Sequence, residues 1–220
     1  MLERYNTIRD EVSHQIVQKK SKFLCSLIQV ETEEEAMEYI LSIRKKHFDA
    51  NHNCFAYIVG LNDQSIERFN DDKEPSGTAG KPMLEVLKGA GLKNVVAVVT
   101  RYFGGVLLGT GGLIKAYTDA VKTCLGEATI YESTMCEKIK VEVEYALLPK
   151  IEYLLHSSNQ MIYDTLYLEK VTLILFLEQA LSEKIKNEII ELSNGKANIK
   201  TEGYLYVATV NEEVIVSNMT

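Results

Sequence analysis

The feature that most limits how this 220-residue chain can fold is a cluster of glycines, five of its thirteen, in the nine positions from Gly104 to Gly112. Glycine reaches φ > 0 without steric cost and lets another backbone or a ligand approach, so this density specifies a special backbone path. The cluster sits within TRYFGGVLLGTGGLIKAY, Thr100 to Tyr117, between patterns of two different periods. Before it, Asn94 to Phe103 (NVVAVVTRYF) is an apolar run of the kind that forms a strand buried on both faces. After it, Leu113, Ala116, Tyr117, Ala120, Val121, Cys124 and Leu125 recur at the spacing of an amphipathic helix. The order is strand, glycine loop, helix. Arg101 is the anomaly in the strand, since it must reach solvent at the strand end or pair with an acid or a phosphate.

A second unusual stretch precedes this one. Asn70 to Pro82, NDDKEPSGTAGKP, packs acids, hydroxyls, glycines and prolines ahead of a helix pattern at Met83, Leu84, Leu87 and Ala90. Gly80-Lys81-Pro82 at a helix start places backbone N–H groups and a lysine together, an arrangement that suits an anion, although a plain structural turn has the same composition. It is not a Walker A loop, because Pro75 and Pro82 occupy the positions of its first glycine and its Ser/Thr. The later loop is no dinucleotide fingerprint either, since Ile114 stands three positions beyond Gly111 where that motif requires glycine.

Toward the N-terminus, Gln18 to Val30 alternates as a strand. Thr32 with Glu35 fits a capping box for a helix carrying Ala36, Met37, Ile40, Leu41 and Phe48 and closing on Arg44, Lys45 and Lys46. Cys54 to Val59 reads as a strand, with Gln64 to Phe69 as its partner after a turn at Asn62-Asp63. His47, His52 and Cys54 are metal-ligand types, but their spacing matches no zinc pattern and a fourth ligand is not evident, so no metal is assigned. The four cysteines form no CxxC pair and read as reduced, buried thiols.

The pattern lapses between Gly126 and Met135, which places a domain boundary there and gives an N-terminal domain of residues 1–131. Beyond it, alternation over Lys138 to Tyr145, a helix over Leu147 to Leu155, strands over Met161 to Leu168 and Val171 to Leu177, a helix ended by Asn194-Gly195 and a strand over Ile199 to Val207 follow in turn. That βαββαβ order predicts a ferredoxin-like domain over 132–210, leaving 211–220 as a tail, in an α+β protein of two domains. Formal charge is near balance up to residue 131 and −6 thereafter, which argues against wholesale nucleic-acid binding and restricts any such contact to a local patch. No apolar run is long enough to span a membrane and the N-terminus lacks the apolar stretch of a signal peptide, so a cytoplasmic protein is expected.

The order HNC, DDKEPSGTAGKPM, then RYFGGVLLGTGGLIKAY resembles the YigZ/IMPACT family over about Lys19 to Cys124, and the C-terminal region is similar to the last domain of elongation factor G that bacterial members carry. The resemblance implies, for the N-terminal half, the fold of the second domain of a small-subunit ribosomal protein, a class that includes small-metabolite kinases. It also implies a role in translational control and stress response, because eukaryotic relatives compete for the activator of a starvation-responsive kinase. Lys73 departs from the family pattern, which commonly has glycine there.

Two functions follow as expectations. The first is a non-catalytic binding protein that contacts RNA, the ribosome or a protein partner through Glu74, Ser76, Gly77, Thr78, Gly80, Lys81, Arg101, Tyr102, Gly104, Gly105, Gly109, Gly111, Gly112 and Lys115. The alternative is an enzyme acting on a phosphorylated metabolite or nucleotide, with Glu74, Asp71 or Asp72 as base or metal ligand. No HExxH, GxSxG or nucleotide motif is present, and no cofactor is implied.

Overall fold

The computed structural model describes residues 3–61 and 65–217. They form five helices and two antiparallel sheets, the α+β class expected, and divide into one unit ending at Glu132 and a second starting at Ser133.

The first unit is built on a sheet in the order β2-β3-β6-β4-β5, from β2 (Val12–Gln18), β3 (Ser21–Gln29), β4 (His52–Val59), β5 (Ile66–Asn70) and β6 (Val95–Tyr102). β6 lies at its centre and explains the apolar run. Val95, Ala97 and Val99 face a core shared with α2 (Gly80–Gly89) and α3 (Thr110–Glu127), while Val96 and Val98 face α1 (Glu33–Lys46) on the other side. All seven residues of the α3 stripe are buried. In α1, Glu35 donates its backbone N–H to Thr32 Oγ1 at 3.1 Å, and its carboxylate accepts from the Glu31 N–H at 2.7 Å.

Several local expectations change. The buried face of α1 is Ala36, Ile40 and Ile43, whereas Phe48 lies beyond the helix and is 85% exposed. The N-terminal strand is joined by β2 and preceded by a short β1 (Arg4–Ile8), and β7 (Ile130–Val143) begins at the end of this unit. β2 has the period-2 pattern of a half-buried strand, but His14 and Gln18 on its half-buried face and Val17 on its exposed face obscure it. The turn expected at Asn62-Asp63 lies outside the described residues.

In the second unit the order is β7, α4 (Leu148–Ser157), β8 (Ile162–Tyr167), β9 (Val171–Glu178), α5 (Gln179–Leu192), β10 (Asn198–Val210), then β11 (Glu213–Ser217). The sheet runs β11-β10-β7-β9-β8, so the first and third strands of the βαββαβ unit are neighbours at its centre, as a ferredoxin-like fold requires. Both helices cover one face, where Ile151 and Leu155 of α4 and Ile185 and Ile189 of α5 meet Ile139, Val141, Leu173 and Leu175. The segment read as a tail carries β11, which pairs antiparallel with β10 from Tyr206↔Ser217 to Val210↔Glu213. Asn211 and Glu212 make the turn with positive φ of 50° and 69°, a geometry that asparagine favours and that Glu212 does not announce.

Candidate functional site

The loop between β5 and α2 is organised by one side chain. Asp71 Oδ1 accepts from the backbone N–H groups of Ala79 at 3.0 Å and Gly80 at 2.8 Å, and its Oδ2 accepts from Gly77 at 2.8 Å. A carboxylate from the chain therefore occupies the positive end of α2, the place nominated for a bound anion. The N–H groups of Gly77 and Gly80 are already engaged. A Cβ at Gly80 would lie 2.8 Å from Asn70 N, so the tight closure of this loop needs glycine. Lys73 has φ 72°, the left-handed region that favours the glycine commonly found there in the family pattern. Thr78 Oγ1 donates to the Pro75 carbonyl at 2.6 Å, while Ser76 and Lys81 are exposed.

Asp72 is also spent on structure. Its Oδ2 accepts from the Asn53 N–H at 2.6 Å and its Oδ1 from Arg44 at 3.5 Å. Its main-chain carbonyl lies 2.8 Å from His52 Nδ1; a carbonyl only accepts, so Nδ1 is the donor. The other ring nitrogen, Nε2, stands 3.7 Å from Glu74 Oε1.

Glu74 is the centre of a buried cluster. Arg101 Nη1 approaches its Oε1 at 2.6 Å, with the two side chains only 6% and 3% exposed, and the Tyr117 hydroxyl donates to the same oxygen at 2.8 Å. Cys54 Sγ is 3.4 Å from that hydroxyl. The pairing of Arg101 with an acid meets the requirement set by a charge inside an apolar strand. Burial, and then the neighbouring Cys54 and Glu74, push the Tyr117 hydroxyl well above its ordinary range. Burial likewise pushes the Cys54 thiol up, so both groups are neutral hydrogen-bonding partners.

The glycine loop closes over this cluster. A Cβ at Gly104 would lie 2.0 Å from the Lys20 carbonyl carbon and 2.4 Å from Ser21 N, so the backbones meet where no side chain fits. Ser21 Oγ accepts from Gly104 N at 3.2 Å and from Arg101 Nη2 at 3.4 Å, joining the turn to the ion pair. Gly109 is the N-cap of α3 at φ 73°, a left-handed conformation that other residues adopt at a cost. Gly105 lies in the exposed loop, and Gly111 and Gly112 form the first turn of α3.

Beneath the loop is a pocket of about 500 Å3, with His52, Glu74 and Arg101 among its polar groups, Phe103, Leu107, Leu108 and Leu113 as apolar wall, and Gly109 and Thr110 at the start of α3. Of the nominated residues it gathers Glu74, Arg101 and Gly109. Tyr102 is instead engaged by His47 Nδ1 at 2.9 Å and Asp49 at 3.1 Å. Lys81 and Gly77 line a separate groove of about 860 Å3 between α2 and α3, and Lys115 lines neither. Sequence reasoning missed His52 as a pocket residue and the apolar wall altogether. The signal for the wall was present in the exposed-looking Val106-Leu107-Leu108 between glycines. Among the described residues no group of three or more His, Cys, Asp or Glu side chains is placed to hold a metal, and no helix is long and apolar enough to cross a membrane.

Comparison with known proteins matches residues 19–125 to the Impact N-terminal domain and residues 141–196 to a domain of unknown function, DUF1949. The IMPACT family member YvyE of Bacillus subtilis is 45% identical over 205 residues, which cover 93% of this chain and 94% of the relative. The IMPACT family member YigZ of Escherichia coli is 38% identical over 182 residues, covering 82% and 89%. A crystal structure of a hypothetical protein superposes with a TM-score of 0.60 at 35% identity, covering 90% of this chain and 97% of the other.

Proposed function

The chain belongs to the IMPACT family, and from that premise we propose that it is a non-catalytic binding protein of translational control that takes a protein partner on its glycine-loop surface. The translational link is what the family resemblance implies. The observation that carries the choice of partner is the exposure of Phe103, Val106 and Leu107, at 45%, 40% and 81%, on one short loop. Clustered exposed apolar side chains on a loop held by a rigid scaffold favour a protein contact. Phosphate contact is disfavoured in the same place, because Arg101 is committed to Glu74 and the α2 amides to Asp71.

Capture from a translation extract tests this reading. The wild type is expected to retain a component of the translation apparatus that Leu107→Asp loses; equal retention by both proteins overturns it. Filter binding to total RNA separates the nucleic-acid version, for which saturable binding with a steep salt slope, reduced in a Lys81→Ala, Lys115→Ala variant, is the required result. Turnover of a phosphorylated metabolite loses two of its three nominated acids, since Asp71 and Asp72 are held by backbone N–H groups. Glu74 alone faces a pocket.

A further inference from the structure

The groove of about 860 Å3 between α2 and α3 repeats along its length. Pro82, Val86 and Ala90 line it from α2 and Ile114, Thr118 and Lys122 from α3, each set at four-residue intervals. At 1.5 Å per residue the two stripes are about 12 Å long, just over two turns of helix. Ile114 is 42% exposed, because the buried stripe of α3 runs beside it through Leu113, Ala116 and Tyr117. α3 therefore carries a second apolar position outside the core.

A second, independent observation comes from Gly89, the last residue of α2, which lines the same groove. Its φ lies outside the left-handed region, and a Cβ there would meet no atom within 4 Å. Neither the backbone path nor the packing of this chain calls for glycine here, and alanine would favour the helix. What the missing side chain does is keep the groove open.

Charge selects the occupant. Lys81 and Lys122 line the groove from its two walls, both exposed, and among the described residues neither has an ion-pair partner. Lys88, on α2 but outside the groove, is held instead by Glu67 at 2.9 Å. Glu85 is the acid of the lining, and it lies in the field of Lys88.

We propose that the groove between α2 and α3 docks an acidic amphipathic helix of a protein partner. The apolar side of that helix lies on Pro82, Val86, Ala90 and Ile114, and its carboxylates pair with Lys81 and Lys122. The exposed rim leaves the groove open along its length, which suits an elongated occupant; a small molecule would keep much of its surface in water. Phe103, Val106 and Leu107 do not line this groove, so the assignment goes beyond the glycine-loop surface and does not depend on it.

Fluorescence polarisation of the full chain with three labelled, hydrocarbon-stapled helical peptides tests the site. All three carry leucine at i, i+4 and i+7, and their flanking positions are Glu in the first, Lys in the second and Gln in the third. The Glu peptide is expected to bind saturably and at least tenfold more tightly than the Lys peptide, with the Gln peptide between them. Gly89→Phe puts a ring into the groove where no atom of the chain stands, and is expected to weaken the Glu peptide at least tenfold. Lys81→Glu with Lys122→Glu is expected to reverse the order of the Glu and Lys peptides. No saturable binding by any peptide, a Lys peptide as tight as the Glu peptide on the wild type, or undiminished binding by folded Gly89→Phe overturns the proposal. Concentration-dependent dimerisation that Gly89→Phe abolishes would give the groove to a second copy, and total RNA bound by the wild type but not by the charge-reversed variant would give it to nucleic acid; either result also overturns it. If Gly89→Phe does not fold, the charge reversal decides alone. Leu107→Asp tests the glycine-loop surface at a residue outside this groove, so failure of either reading leaves the other standing.

Discussion

At the scale of single residues, the strongest dependence is between Arg101 and Glu74. Removing one member of a buried pair strands the other, so Arg101→Ala is expected to destabilise by about 3–5 kcal/mol in urea unfolding. Arg101→Met with Glu74→Gln should cost less than the sum of the single changes, and strict additivity would show that the pair is not coupled. Glycines of one loop should respond with opposite signs. Gly104→Ala drives a Cβ into the Lys20 backbone and should lower the melting temperature, whereas Gly111→Ala, in helix with open space around it, should raise stability by up to about 1 kcal/mol. The need for a partner to Arg101 was legible, because a charge in an apolar strand demands one. Its identity was not, since Glu74 reaches it from a loop 27 positions away. His52 was read among metal-ligand types; its actual role depends on the Asp72 carbonyl, which no side-chain pattern encodes.

At the scale of elements, helix starts decide much of the site. Asp71→Ala leaves three amides of the α2 start without their acceptor and should destabilise by about 2 kcal/mol or more, with Asp71→Asn intermediate, read from denaturant midpoints. In the second unit, burial alone would raise the Glu137 pKa, but hydrogen bonds from Lys186, Ser182 and Thr201 outweigh it and hold the carboxyl below its usual range. A carboxylate with a lowered folded-state pKa contributes stability that is present above its unfolded value, near 4.5, and is lost as pH falls through the folded value. Glu137→Gln should therefore lower the urea midpoint at neutral pH and flatten its fall on acidification; an unchanged acid limb would count against the cluster. Long apolar patterns such as the α3 stripe were readable without the structure. β2 and β11 were not, because β2 sets polar residues among its half-buried positions and β11 is only five residues long, so both are defined by the neighbours they pair with.

At the scale of the whole molecule, each unit has its own core, Phe23, Val99 and Tyr117 among the residues of one and Val141, Leu175 and Ile189 of the other. Ile189→Ala is expected to reduce hydrogen-exchange protection across β7, β9 and β10 from Ser133 onward, while β3, β4 and β6 retain theirs; equal loss in both units would mean that they unfold as one. The α+β class and the family were legible from motif order and period, because both are written in local patterns. The pocket was not, since its wall and its polar groups come from segments as far apart as Asn51 and Leu113.

The turn from β2 to β3 consists of Lys19 and Lys20, both at positive φ, and it presses on Gly104. Exposed two-residue turns ordinarily tolerate insertions, because nothing beneath them measures their length. Here an added residue would shift the Lys20 carbonyl and move Ser21 Oγ off the Arg101 guanidinium. The hairpin thus acts as a spacer of set length for a charge buried below it, so members of this architecture should vary in the composition of that turn far more readily than in its number of residues.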